Sequence, residues 1–419
     1  MNQHAIVTRA ETVLPAGGFG NFDPSIFIRE GKGARVWDED GNEYVDLLIG
    51  SGPMLIGHGH EEVLEVVHKQ VEKGMTFFAN NELGVQLAEQ IIEDMACAEQ
   101  VRYVASGGEA DMYAIRAARA FTGRPKVMKF EGGYHGMSAE AQMSLAPTSL
   151  VNFPNAVPDS AGISEGVREE MLIAPFNDVD FMRSLIAEHG DQIACVVVEP
   201  LQRIIPPAPG FLEALREETA KAGIVLIFDE IVTGYRLAYG GAQEAYGVTP
   251  DLCTLGKIVG GGFPLAATVG RADIMAHFDK GKVGAEGWLM QLGTLSGNPV
   301  ACAAGLKTME VLRREGAYDN LRANGRRIQE AIRRELTAVG VAHRIVGDPT
   351  LFEVVFTDAE VRDYRDWLKN DGAKTAAYDK AMRAHGVFKS AGKTYPSLAL
   401  TEDDLTRVEE AIAAAARAI

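Results

Sequence analysis

The chain has 419 residues, and 41 Lys and Arg against 58 Asp and Glu leave a formal charge of −17. With 47% apolar and 24% charged residues it falls in the globular range, so wholesale disorder is excluded and the length fits two or three domains. The acidic balance argues against a nucleic-acid binder or a protein that adheres to an anionic membrane, since both need dense Lys and Arg. Cys97, Cys195, Cys253 and Cys302 lie far apart with no CxxC spacing, which predicts buried free thiols and neither a disulfide scaffold nor a zinc module. The first 18 residues lack the charged-then-apolar order of a signal peptide, and no apolar run nears the ~20 residues of a membrane span. The expectation is a soluble, cytoplasmic protein.

Along the chain, residues 34–38 and 43–47 flank Asp40-Gly41-Asn42 and predict a hairpin. Val63, Val66, Val67 and Val71 share one helical face, with Gly74 placed to end that helix. A second helix carries Leu83, Leu87 and Ile91 in register. Residues 101–104 then read as a strand leading through Ser106-Gly107-Gly108 into a helix over 109–121, with 126–130 the next strand. Residues 193–198 and 224–228 are unbroken apolar runs, as parallel strands covered on both faces require, and 266–269 closes the series. Beyond about residue 300 helical periodicity dominates. It ends in a capping box at 401–404 before the stripe Leu405, Val408, Ile412 and Ile419. The alternation predicts an α/β fold: a large domain at 55–300 with a mostly parallel central sheet flanked by helices, and a smaller α+β domain built from 1–54 and 301–419.

Three segments carry groups suited to chemistry. Ser106-Gly107-Gly108-Glu109 leaves a strand and opens a helix, so backbone N–H groups at a positive dipole end can meet a phosphate, with Ser106 adding a hydroxyl. Tight packing explains such a turn equally well. Asp229 follows the run 224–228, at the C-terminal end of a parallel strand where α/β sheets bind ligands. An acid there can hold a metal, act as a base, pair with a ring nitrogen or cap the next helix. Lys257 stands between the apolar run 252–255 and Gly260-Gly261-Gly262, where desolvation lowers an ammonium toward neutrality and makes a Schiff-base nucleophile. No G-x-G-x-x-G fingerprint with a following acid is present, which argues against a nicotinamide enzyme. A phosphate, a protonatable ring nitrogen and an aldehyde together describe pyridoxal 5′-phosphate, and no metal is expected.

The ordered motifs go further. They comprise Ala34-Arg35-Val36-Trp37-Asp38, Asp40-Gly41-Asn42-Glu43-Tyr44, Gly57-His58-Gly59-His60 and Ser106-Gly107-Gly108-Glu109-Ala110. Gly133-Tyr134-His135-Gly136, Glu199-Pro200, the segment from Phe228 to Arg236, Lys257 and the segment from Gly293 to Pro299 complete them. Through these the chain resembles the class III pyridoxal-phosphate aminotransferases of fold type I, and it is most similar to their glutamate-1-semialdehyde aminomutase subgroup.

The resemblance implies that Lys257 holds the cofactor as a Schiff base and Asp229 pairs with its pyridinium. Ser106, Gly107 and Gly108 would bind the phosphate, Tyr134 and Ile231 would lie on opposite ring faces, and His135 and Glu199 would border the ring. It further implies a homodimer in which Thr294 reaches the phosphate of the neighbouring protomer. Three residues depart from the aminomutase pattern. Phe19 stands where that subgroup carries an arginine for the substrate carboxylate, Ser51 replaces a pocket tryptophan, and Gly108 replaces a threonine. These departures favour an intermolecular aminotransferase, moving an amino group from an amino acid or amine to a keto acid or aldehyde through pyridoxamine phosphate. The alternatives are a 2,1-aminomutase, or a decarboxylase or racemase on the same fold. Lys389 and Lys393 are read as solvated lysines, Arg236 as a structural ion-pair partner, and His58 and His60 as turn-packing groups, ahead of carboxylate- or metal-binding roles.

Overall fold

The computed structural model describes residues 3–419. The chain divides into two compact units: Glu62–Arg314 with Val361–Leu368, and the residues up to Glu61 with Glu315–Glu360 and Lys369–Ile419.

The larger unit is built on seven strands. Their spatial order is Gln100–Val104, Ala266–Gly270, Leu252–Leu255, Val225–Glu230, Ile193–Val198, Lys126–Phe130, Met171–Ala174. The last five run parallel, and Ala266–Gly270 is antiparallel to both of its neighbours. All residues of Ile193–Val198 and Val225–Glu230 are buried, which is why these runs are apolar without alternation. Met171–Ala174 goes beyond the sequence reading. Its four apolar residues are too few for periodicity to tell strand from helix.

Helix Gly107–Thr122 begins where Ser106 Oγ accepts the Glu109 N–H and the Glu109 carboxylate accepts the Ser106 N–H, a capping box. Gly123 ends it in the left-handed region at a φ of 69°. The small side chains of Ala114, Ala117 and Ala118 let this helix lie close on Val127, Val197, Val225 and Ile227 in one buried cluster. That close docking fixes where the helix N-terminus sits against the strand ends.

In the smaller unit Ile28–Lys32, Arg35–Asp38 and Glu43–Asp46 form an antiparallel meander, and Val387–Phe388 joins it parallel to Glu43–Asp46. The Asp38 carboxylate accepts the N–H groups of Asp40 and Asn42, closing the hairpin at the expected turn. Helices Ala317–Ala338 and Glu402–Ala416 bury Ile328, Ile332 and Leu336 against Leu405, Val408 and Ile412. Thr401 and Asp404 supply the expected capping box.

Lys389 corrects the reading of a solvated lysine. It is buried, with Nζ 2.6 Å from Asp379 and 2.9 Å from Glu353, because the short strand Val387–Phe388 carries it inward beside two acids. His58 Nε2 lies 2.7 Å from Asp46 Oδ2 within this unit, and its backbone pairs with Gly33, a turn-packing role. All four cysteines are free and buried. Among the described residues no helix is long and apolar enough to cross a membrane.

Candidate active site

The C-terminal ends of the parallel strands gather the polar groups. Strand Val225–Glu230 pairs with Leu252–Leu255 in a register that sets Asp229 opposite Thr254 and Glu230 opposite Leu255. The chain therefore leaves the strand at Leu255, one residue past the partner of Asp229, and Lys257 follows two residues later. Lys257 has a φ of 51°, a left-handed conformation that a non-glycine residue adopts at a cost of order 1 kcal/mol. Strain of this kind gathers at functional positions. A Cβ added at Gly256 would meet Ile231 at 3.0 Å, and one added at Gly107 would meet the same side chain at 3.0 Å. Ile231 thus wedges between the helix-opening turn and the lysine segment, and glycines on both sides let it.

Asp229 is 4% exposed and uses both oxygens. Oδ2 lies 2.8 Å from His135 Nδ1, and Oδ1 accepts the Ile231 N–H at 3.0 Å. The capping alternative is met instead by Glu230, which accepts the Ala242 N–H at 2.6 Å and the Thr233 hydroxyl at 3.0 Å. Two adjacent acids at one strand end have divided the roles. Glu230 holds the next helix, and Asp229 faces the site with His135 orienting it.

A third acid, Asp111, was not visible as a site residue from its sequence context. It lies one turn inside the helix Gly107–Thr122, is 2% exposed, and accepts the Thr254 hydroxyl at 2.6 Å. One polar atom from each of Asp111, His135 and Asp229 lies within 4.8 Å of the other two. Burial pushes the Asp111 carboxyl well above the usual carboxylate range; Asp229 and Glu199 add to the rise, and Thr254 and Lys257 work against it. Such a trio can surround a small cation or a single protonated ring nitrogen.

The loop after Lys126–Phe130 completes the site. The Tyr134 N–H donates to Glu199 Oε2 at 2.8 Å, so Glu199 acts on the backbone of that loop. Gln202, also unforeseen, donates through Nε2 to the Glu131 carbonyl at 2.9 Å, while its buried Oε1 has no partner. Gly136 (φ 86°) lies directly on the helix-opening turn: a Cβ there would come within 2.4 Å of Gly108 Cα. That approach leaves little room for a side chain at position 108, where one added carbon would meet Gly136 at 3.3 Å. The Ser106 hydroxyl, expected to face a phosphate, is engaged in the capping box. The N–H groups of Gly107 and Gly108 have no preceding turn of helix to bond and are the donors left for an anion.

Lys129 anchors the same loop. Its buried ammonium donates to the carbonyls of Gly133, Ala141 and Met143 at 2.8–3.0 Å, and burial pulls it down to about 7. The unfolded chain keeps that proton up to about 10.5. Between those values the unfolded state therefore binds more protons, and stability rises with pH by up to ~1.4 kcal/mol per unit. Urea unfolding at about pH 7.5 and about pH 9 should show that rise in the wild type and lose it in Lys129→Met. An identical slope in both proteins contradicts the assignment.

A family model described as aminotransferase class III matches residues 20–416. The chain belongs to the class III aminotransferases. Among curated relatives, the glutamate-1-semialdehyde 2,1-aminomutase of Natranaerobius thermophilus is 37% identical over 400 residues, covering 94% of this chain and 91% of that protein. The same enzyme from Neisseria meningitidis is 41% identical over 382 residues, 88% of each chain. Among solved structures, an omega-transaminase from Sphaerobacter thermophilus superposes with a TM-score of 0.93 at 34% identity, covering 99% of this chain and 97% of that one. A transaminase with bound PLP gives 0.90 at 29% identity, covering 99% and 96%. The protein is therefore an enzyme, and its cofactor is pyridoxal 5′-phosphate.

The remaining site expectations of this class III aminotransferase lie on other segments of the chain. Thr294 lies in a cavity of about 370 Å³ in the larger unit, lined by Phe77, Phe78, Tyr103, Gln291 and Asn298 among others, and neither Lys257 nor Asp229 lines it. Phe19 and Ser51 belong to the smaller unit and are exposed, Ser51 with a φ of 65°. Arg236 is wholly buried.

Proposed function

We propose that this class III aminotransferase moves an amino group from an amino acid or amine to a separate keto acid or aldehyde. The observation that carries the reading is Asp229, buried at a parallel strand end, oriented by His135 and set beside the segment of Lys257. The residues fit the cofactor. The trio of Asp111, His135 and Asp229 suits a protonated ring nitrogen, the first-turn N–H groups suit a phosphate, and the orphaned Gln202 Oε1 suits a further polar substituent.

When bound, pyridoxal phosphate supplies an electron sink that allows a substrate C–H bond to break. Asp229 would keep the proton on the ring nitrogen, on which that sink depends. Lys257 would hold the aldehyde carbon through Nζ, and the same nitrogen would accept the substrate proton and return it to the neighbouring carbon. Gly107 and Gly108 would bind the phosphate through backbone N–H groups at the helix dipole. Tyr134 and Ile231 would confine the ring, and Glu199 fixes Tyr134 through its backbone.

Transfer between molecules is favoured over internal exchange by Phe19, since an apolar ring cannot pair with a carboxylate where an aminomutase carries arginine. The second reading, 2,1-exchange on glutamate-1-semialdehyde, is favoured by the two curated relatives. Transfer predicts that an amino donor turns over repeatedly only when pyruvate or 2-oxoglutarate is supplied. Isomerisation of glutamate-1-semialdehyde with no added acceptor would establish the exchange instead.

The reading includes a homodimer. Phe77, Phe78, Leu292 and Leu295 are exposed around Thr294, an apolar surface that a second copy would cover while bringing Thr294 to its partner's phosphate. Sedimentation should give a dimer at micromolar concentration, and a monomer would contradict this part of the reading. Four buried free thiols fit the reducing cytoplasm.

A further inference from the structure

We infer that Arg203 binds the carboxylate of the substrate, so that the donors and acceptors preferred at this site are acids. The inference rests on the function proposed above. Arg203 sits at the tip of a tight turn that follows strand Ile193–Val198. There the Gln202 N–H donates to the Ile205 carbonyl at 2.9 Å, and the Ile205 N–H returns to Gln202 at 2.8 Å. Leu201, Gln202, Ile204 and Ile205 are all buried, whereas Arg203 is exposed. The turn is therefore anchored on both sides and presents one side chain.

That side chain sits on a strained backbone. Arg203 has a φ of 61°, a conformation that glycine adopts freely and arginine does not. The guanidinium carbon lies 5.3 Å from the centroid of the Tyr134 ring, the ring assigned to one face of the cofactor. Glu199, earlier in the same segment, holds the Tyr134 backbone, so the turn and the tyrosine are fixed relative to each other. The charge of Arg203 is felt at Lys129, Tyr134 and Tyr364, which places it over the loop that borders the site.

Among the described residues no carboxylate pairs with Arg203. Other arginines of this unit differ: Arg365 is held by Glu131, and Arg119 by Glu140 and Glu170. A planar guanidinium with its fork of donors unpaired, pre-placed by cation–π contact, is matched to bidentate recognition of a carboxylate. Of the other basic residues weighed for a carboxylate, Lys389 is already held by Glu353 and Asp379, and Arg236 is wholly buried.

The test compares acids with amines of the same skeleton lacking the carboxylate. Alanine is set against ethylamine and 3-aminobutanoate against 2-aminopropane, each read by loss of visible absorbance as the holoenzyme reacts. In Arg203→Met the KM for the reacting acid should rise roughly 10- to 100-fold with kcat within a few-fold, and the loss should exceed that for its amine by at least tenfold. Arg203→Lys should recover part of it. A merely structural role, holding Tyr134 in place, predicts equal losses for acid and amine together with weaker cofactor retention. Equal losses, or a wild-type enzyme that reacts with the amines and refuses the acids, would overturn the role of Arg203 and leave the proposed function standing. No reaction with any donor would overturn that function, and the site Arg203 serves with it.

Discussion

Replacing Lys257 by alanine is expected to lower turnover at least 10⁴-fold, about 5.4 kcal/mol of barrier, and to abolish the visible absorbance of the purified holoenzyme. The size of the effect follows from the two roles given to one nitrogen, which both holds the aldehyde carbon and moves the substrate proton. The buried lysines are poorly placed to substitute. Lys129 has its three donors directed at the carbonyls of Gly133, Ala141 and Met143, and Lys389 lies between Glu353 and Asp379. A Lys257→Ala protein that keeps its colour and its rate would show that another residue performs this chemistry.

Asp229→Asn is expected to be the next most damaging change, lowering kcat by about 10³-fold, roughly 4 kcal/mol, with weaker cofactor retention. The amide is close in size and keeps hydrogen-bonding groups toward His135 and the Ile231 N–H, so the loss reports charge and not shape. Asp111 gives the prediction a second, sharper form. The negative field of Asp229 is one cause of the raised Asp111 pKa, so removing that charge lets Asp111 ionise more readily and stand in partly. The double variant Asp111→Asn/Asp229→Asn should therefore be worse than the two single losses predict when added. Kinetics of all four proteins at one pH check this. Additive losses would show that Asp111 does not share the site's charge.

What the sequence made legible follows from pattern. Asp229 and Lys257 could be found because each follows a short, mainly apolar run, and such runs form the buried strands whose C-terminal ends carry the site. Asp111 was hidden because a lone acid inside an amphipathic helix normally faces water. Only the docking of the Ala114, Ala117 and Ala118 face, through small side chains, turns it inward. Gln202 and Arg203 were hidden because neither marks a strand end or a helix start, and a two-residue turn has no period to read. The Ser106 hydroxyl was assigned to a phosphate because capping and anion binding call for the same residue at the same place. In the structure Ser106 and Glu109 form the capping box. Lys389 was misjudged because its partners, Glu353 and Asp379, are 36 and 10 residues away in sequence and meet it only in the folded unit.

The most direct test of the central claim is chemical. Holoenzyme reduced with borohydride, digested and mapped by mass spectrometry should carry the pyridoxyl phosphate group on one peptide, with the modified side chain at Lys257. Modification at Lys129 or any other lysine, or no modified peptide from a coloured protein, would contradict the account.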